Sequence, residues 1–150
     1  RVLLTSTPEG VTHYIDGNVT EPDPILEAAA EILDFQQPVA VILMGIMGHI
    51  EDYDTARSLV RRYVDAVPSG SYLALGDGTA TSEEVIESHR RYNESGPVPY
   101  HPRTPEQIAG FFEGLEIVEP GVVPSPQWRP HPDAGPAPEV HGYGGVGRKP

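Results

Sequence analysis

The segment Pro38–Asp54, PVAVILMGIMGHIEDYD, constrains the fold more than any other part of the chain. Apolar residues run without a charge from Val39 through Met44 and on to Ile46, interrupted only by Gly45; Gly48, His49 and the acids Glu51, Asp52 and Asp54 follow. An apolar run of this length, bounded by a proline and by glycines, predicts a β-strand buried on both faces. Such strands belong to parallel sheets covered by helices, where ligands sit just beyond the carboxyl ends of the strands. The Gly-Ile-Met-Gly-His-Ile segment falls at that position, so the same stretch predicts both the sheet and the place of function.

At 150 residues the chain has enough length for one domain with a core, and it contains no cysteine. Disulfides and thiolate metal sites are therefore excluded, and the composition fits a reducing cytoplasm. No apolar run is long enough to span a bilayer, and RVLLTSTPEG at the start lacks the apolar segment of a signal peptide. The formal net charge of -12 argues against nucleic acid or an anionic membrane as the main partner. Its plain consequence is solubility.

The pattern alternates between strand and helix. Val11–Ile15 predicts a short strand ending at Asp16-Gly17-Asn18, and Asp23-Pro24 opens a helix with Ile25, Leu26, Ala29, Ile32 and Leu33 on one stripe. After the strand from Val39, the residues Ala56, Leu59, Val60, Tyr63, Val64 and Val67 recur at helical spacing up to Pro68-Ser69-Gly70. Ser71–Leu75 predicts a strand stopped by Gly76-Asp77-Gly78, and Ser82-Glu83-Glu84 starts a helix to about Asn93. Thr104-Pro105-Glu106-Gln107 has capping-box spacing, and Gly114 is a natural left-handed stop. Strands at Leu115–Val118 and Val122–Val123, a proline-rich loop over 124–138 and a last glycine-rich strand at His141–Arg148 complete the chain. Alternation of this kind predicts an α/β fold with a mostly parallel sheet, helices on both faces and an antiparallel pair at the C-terminal end.

Read from the residues alone, the candidate site residues each have a bland reading. Asp16-Gly17-Asn18 is common turn chemistry. Met44, Gly45, Ile46 and Met47 are either core or rim. His49 either takes a proton or orders the loop and the start of the next helix. Asp52 and Asp54 read as acids at a helix start. Asp77 lines either a site mouth or a surface turn. Trp128 and Arg129, in the proline-rich loop with its tryptophan, either close over a substrate by stacking or staple the loop. The six histidines are scattered and show no ligand spacing, so no metal site is expected. No Gly-x-Ser-x-Gly elbow is present.

YIDGNVTEPDPIL, AVILMGIMGHIEDYD, SGSYLALGDGTA, TPEQIAGFFEGLEIVEPGVVPSPQWRP and YGGVGRK, in this order and spacing, resemble an actinobacterial family of S-adenosylmethionine (SAM)-dependent methyltransferase-like proteins of the class I, Rossmann-like type. The likeness covers nearly the whole chain, and its most specific block is Thr104–Pro130. It implies SAM as cofactor and a small-molecule acceptor. It also implies that Asp16 accepts a hydrogen bond from the adenine amino group, with Gly17 and Asn18 at the ring edge. Met44, Gly45, Ile46 and His49 would then lie along the methionine and ribose side, with Asp77, Trp128 and Arg129 toward the acceptor. His49 matches the second histidine of a loose Leu-His-His-Ile pattern, and Gly48 replaces the first. The glycine-rich loop and ribose-binding acid with which class I enzymes begin have no counterpart in these residues. The resemblance places Arg1 after that acid, so a partial domain with an exposed sheet edge is expected.

The reading that follows is methyl transfer from SAM to an unidentified acceptor. A non-catalytic module that binds SAM or S-adenosylhomocysteine is the alternative, since neither an obvious general base nor an Asn-Pro-Pro-Tyr type motif is present. A different nucleotide-binding α/β protein, such as an oxidoreductase, ranks below both.

Overall fold

A computed structural model describes residues 9–96, 98–136 and 138–150. The elements are α1 (Pro22–Ala30), β1 (Ala40–Met44), α2 (Tyr53–Asp65), β2 (Tyr72–Gly78), α3 (Glu83–Ser95), α4 (Pro105–Gly110), β3 (Glu116–Ile117), β4 (Val123–Pro124) and β5 (Gly142–Arg148), with 3₁₀ turns at Met47–His49 and Ser125–Gln127. The sheet runs β1-β2-β5-β3, and β4 pairs with β5. Strands β1 and β2 are parallel, with Leu43 opposite Leu75, whereas β5 lies antiparallel to β2, β3 and β4.

The sheet is therefore mixed rather than mostly parallel. A single crossover through α2 gives the one parallel pair, and β5 then inserts between β2 and β3 in the opposite sense. Because cross-strand partners share a face, Val41 and Leu43 lie on the same side as Leu73, Leu75 and Asp77. On that side Leu43, Leu73 and Leu75 form the core with Ala56 and Val60 of α2, Ile108 of α4, and Phe111 and Phe112. Gly145 and Gly147 of β5 leave the room that Phe112 and Leu115 occupy. The expectation of helices on both faces is not met among the described residues. Ile42 and Met44, on the other face, are 65% and 54% exposed, and Tyr72 is exposed as well. Nor is β1 buried on both faces: among the described residues it is an edge strand with one covered side.

Helix starts follow their local chemistry. The Asp52 side chain caps α2 by accepting from Thr55 N at 2.8 Å, Ser82 caps α3, and Thr104 and Gln107 complete the capping box of α4. Gly114 is left-handed at φ 82°, the stop its sequence position predicts. Two expected elements differ. Val11–Ile15 forms no strand among the described residues, and Val11 and Tyr14 stay exposed. Helix α1 ends at Ala30 with no buried residue, so Ile32 and Leu33 fall beyond it and remain exposed.

Gly76-Asp77-Gly78 continues β2 rather than ending it. Gly76 pairs with Gly144 of β5, and the two glycines let the strands approach closely. A Cβ on Gly144 would stand 3.0 Å from the Leu75 carbonyl oxygen and 3.2 Å from Gly76 Cα, both backbone atoms that cannot step aside. Gly144→Ala is expected to destabilise the protein by about 1–3 kcal/mol, whereas Gly135→Ala, which meets nothing within 4 Å, is expected to be near neutral. Urea unfolding midpoints of the two variants check this.

Candidate functional site

The carboxyl ends of β1 and β2 carry the candidate site. After Met44 the chain turns at Gly45, whose φ of 67° suits glycine, and Gly45 N donates to Gly76 O at 2.8 Å. The rim then alternates in exposure. Met44, Gly45 and Ile46 are exposed, Met47 and Gly48 are buried, and His49 is exposed again. Met44 stands over Gly76 on the uncovered face of the sheet, while Met47 is fully buried in the core.

Asp77 holds this turn in place. It is only 5% exposed, and its carboxylate accepts from Met47 N at 3.0 Å, from Gly48 N at 3.3 Å and from the Tyr100 hydroxyl. The Tyr100 oxygen in turn accepts from Gly78 N at 2.7 Å. Burial raises the Asp77 pKa above the ordinary carboxylate range, against the opposing pull of its three hydrogen bonds. Burial, and then the bond to Asp77, hold the Tyr100 hydroxyl protonated well above the ordinary phenol range.

Tyr100 is pinned from both ends. Asn93 of α3 exchanges two hydrogen bonds with its backbone, at 2.7 and 2.8 Å. The following residues run beside the end of β2: His101 N donates to Gly48 O, Arg103 N to Gly78 O, and Ala80 N to Arg103 O. Arg103 is buried; its guanidinium donates to the carbonyls of Ile50 and Glu51 and lies 5.6 Å from the Tyr53 ring centroid. Nothing in the run His101-Pro102-Arg103 marks this role in advance, because the partners are backbone carbonyls distant in sequence.

Two imidazoles flank the Tyr100 ring. His49 meets it edge-on at 5.0 Å between centroids, and His89 stacks on it at 5.4 Å. With Ser88 and Tyr92 they line a hollow of about 320 Å³. A second hollow, about 330 Å³, runs along α2 and the turn after α4; there Arg57 pairs with Glu113, and Lys149 Nζ donates to the carbonyls of Val64, Asp65 and Val67. Among the described residues no group of three or more His, Asp or Glu side chains is placed to hold a metal ion.

The expected site residues fall into three places. Met44, Gly45, Ile46 and His49 share the rim, and Asp77 lies beneath it, inside the strand rather than at a surface turn. Asp16, Gly17 and Asn18 lie on the exposed segment before α1. Asn18 Oδ1 accepts from Thr20 N as a turn residue does, Gly17 rests against Ile25, and none of the three lines the hollow. Trp128 and Arg129 form a third group: Arg129 lies 5.0 Å from the Trp128 ring centroid and donates to Glu119 O at 2.8 Å, so the pair ties its loop to the segment after β3. Tyr92 lies in α3. His89, which the sequence places only within the helix that starts at Ser82, is a wall of the hollow.

A parallel strand pair with a rim turn at its carboxyl end, closed by an antiparallel strand, places the molecule among mixed α/β proteins of the methyltransferase kind. Residues 1–150 match the S-adenosyl methyltransferase family, and the chain belongs to it. Its structure is similar to that of a DUF574 family protein from Streptomyces avermitilis, with 40% identity and a TM-score of 0.88 over 99% of this chain and 59% of that one. It is also similar to a candidate methyltransferase from Thermobifida fusca, with 31% identity and a TM-score of 0.79 over 89% of this chain and 52% of that one. The chain thus spans between half and two thirds of each relative's length. No curated protein matches it.

Two variants test the clamp. Tyr100→Phe leaves Gly78 N without its acceptor and Asp77 without a donor, and is expected to cost about 1–3 kcal/mol of stability. For Asp77 the folded-state pKa is raised, so its contribution to stability is full in acid and declines as pH rises through that raised value. The wild type is therefore expected to lose stability relative to Asp77→Asn across that window, as read from paired urea titrations at stepped pH.

Proposed function

We propose that the Met44–His49 rim binds the adenosyl sulfonium of SAM and that the protein transfers its methyl group to a small-molecule acceptor. The observation that carries this reading is the clamped turn: a rim of exposed Met44, Gly45 and Ile46 at the carboxyl end of β1, fixed from below by Asp77, in a chain of the S-adenosyl methyltransferase family. Gly45 has nothing within 4 Å of where a Cβ would stand, so a ligand can approach its backbone. The thioether of Met44 offers a soft, polarizable contact on the uncovered face. Asp16, with Gly17 and Asn18, belongs to the same proposal as the adenine acceptor: a carboxylate only accepts, and the exocyclic amine donates.

SAM brings an activated leaving group, so the protein's task is to align acceptor and methyl and to exclude water. The net charge of -12 makes a cationic cofactor an easy guest. A cytoplasmic location suits such a cofactor, and no helix among the described residues is long and apolar enough to cross a membrane. A second reading, a module that binds SAM or S-adenosylhomocysteine without turnover, is favoured by one observation: the acid nearest the rim, Asp77, is committed to internal bonds and is not offered to a ligand. Turnover of methyl-labelled SAM in a cell extract separates the two.

Calorimetric titration of the intact protein should show binding of SAM and S-adenosylhomocysteine and none of NADH; NADH binding without SAM binding would end the methyltransferase reading. Asp16→Ala is expected to weaken SAM by about 1–3 kcal/mol. An unchanged affinity returns Asp16 to an ordinary turn residue.

A further inference from the structure

The tautomers of two histidines indicate what the hollow beside Tyr100 receives. A backbone carbonyl can only accept. Nδ1 of His49, 2.9 Å from Pro99 O, and Nδ1 of His89, 2.9 Å from Val85 O, must therefore each carry the ring proton. In its neutral form each imidazole keeps its lone pair on Nε2, and among the described residues neither Nε2 has a hydrogen-bond partner. Two proton acceptors of fixed orientation thus stand against one tyrosine ring, which Asp77, Gly78 and Asn93 hold still.

Among the described residues the walls of the hollow are His49, Ser88, His89, Tyr92 and Tyr100, four of them aromatic rings, and no Lys, Arg, Asp or Glu lines it. A guest held by its own charge finds no counter-ion there. A flat ring finds faces and edges to pack on, and its hydroxyl finds an imidazole lone pair. The space, about 320 Å³, is broad-mouthed rather than enclosed. His49 also ends the turn that begins with the exposed rim residues Met44, Gly45 and Ile46, so one side chain adjoins both the rim and the hollow.

We propose, resting on the methyl-transfer reading above, that this hollow is the acceptor subsite and that it takes a planar phenol. His49 Nε2 accepts the phenolic proton when the phenol binds, and the phenolate oxygen then attacks the sulfonium methyl. An O–CH₃ bond forms and the S–CH₃ bond breaks, and the electron pair of the broken bond stays on sulfur, leaving neutral S-adenosylhomocysteine. The proton leaves Nε2 for solvent, to which His49 is open. His89 and Tyr92 are the surfaces on which the ring packs.

Umbelliferone is a suitable probe: it is a planar phenol whose anion absorbs at longer wavelength than the neutral form. It is titrated into the intact protein with S-adenosylhomocysteine present, at a pH where the free probe is neutral. The expected result is binding with the anion band visible. His89→Ala and Tyr92→Ala should each weaken the probe by about 2- to 10-fold while S-adenosylhomocysteine affinity is unchanged. His49→Gln should keep the probe bound but abolish the anion band. The inference is overturned if umbelliferone does not bind a protein that binds S-adenosylhomocysteine, if it binds the wild type without the anion band, if both wall variants leave its affinity unchanged, or if the anion band survives in His49→Gln. Absence of S-adenosylhomocysteine binding removes the methyl-transfer reading and this inference together.

Discussion

One buried carboxylate organises the functional end of this molecule. Asp77 accepts from two consecutive backbone N–H groups, Met47 and Gly48, and from the Tyr100 hydroxyl. The first two bonds tie the 3₁₀ turn after β1 to the end of β2, and the third ties in the chain beyond α3. The geometry follows from the strand. In β2 the residues on either side of Asp77 are glycines, and Asp77 shares the helix-covered face with Leu73 and Leu75. A carboxylate there is costly to desolvate, which is why its pKa is raised rather than lowered despite three donors. Those donors are what makes the burial tolerable, since leaving any of them unpaired would add a desolvation cost of its own.

The same residue explains why the rim has two characters. Met47 and Gly48, gripped from below, are buried, and the residues on either side of them are turned outward. Met44 and Ile46 therefore present apolar groups on one side, and His49 presents a ring on the other. Gly48 has a second constraint, because a Cβ there would overlap the Tyr100 ring, which cannot swing away while Asp77 and Gly78 hold its hydroxyl. The turn, the tyrosine and the acid thus form a single unit in which each part fixes the other two.

Much of this was legible in the chain. The apolar run from Val39, the helical spacing from Ala56 to Val67, the Thr104–Gln107 capping box and the stop at Gly114 are local signals, and each appears where its spacing puts it. What local signals did not carry was pairing. Gly76-Asp77-Gly78 has turn chemistry in isolation, yet β5, arriving from more than sixty residues away, extends the strand through it. Val11–Ile15 has strand composition yet is not in a strand among the described residues. The expected parallel majority failed for the same reason: alternation gives the parallel sense of β1 and β2 and the antiparallel pair at the end, but nothing near Gly142–Arg148 announces that this strand inserts beside β2. At the site, His49 and Asp77 were visible as rim candidates from their place after strands. The grip of Tyr100 on Asp77 and Gly78 and the stacking of His89 on it were not, because those contacts join residues more than ten positions apart.

The commitment of Asp77 bears on the chemistry proposed for the rim. Displacement at a sulfonium methyl needs no acid for its leaving group, which departs as a neutral thioether, so a carboxylate at the reacting atoms would have little to do there. What the reaction rewards is a fixed line from acceptor to carbon to sulfur, and small errors in that line are expensive. A carboxylate spent on fixing a turn and a tyrosine serves that need better than one exposed to the cofactor. The base, where a phenol must lose its proton, has a different requirement: it needs an open lone pair of known direction. His49 meets that requirement because Pro99 O fixes the proton on its other nitrogen. The two demands, rigidity and a free acceptor atom, are thus met by different residues on one clamped turn, and neither residue could exchange roles with the other.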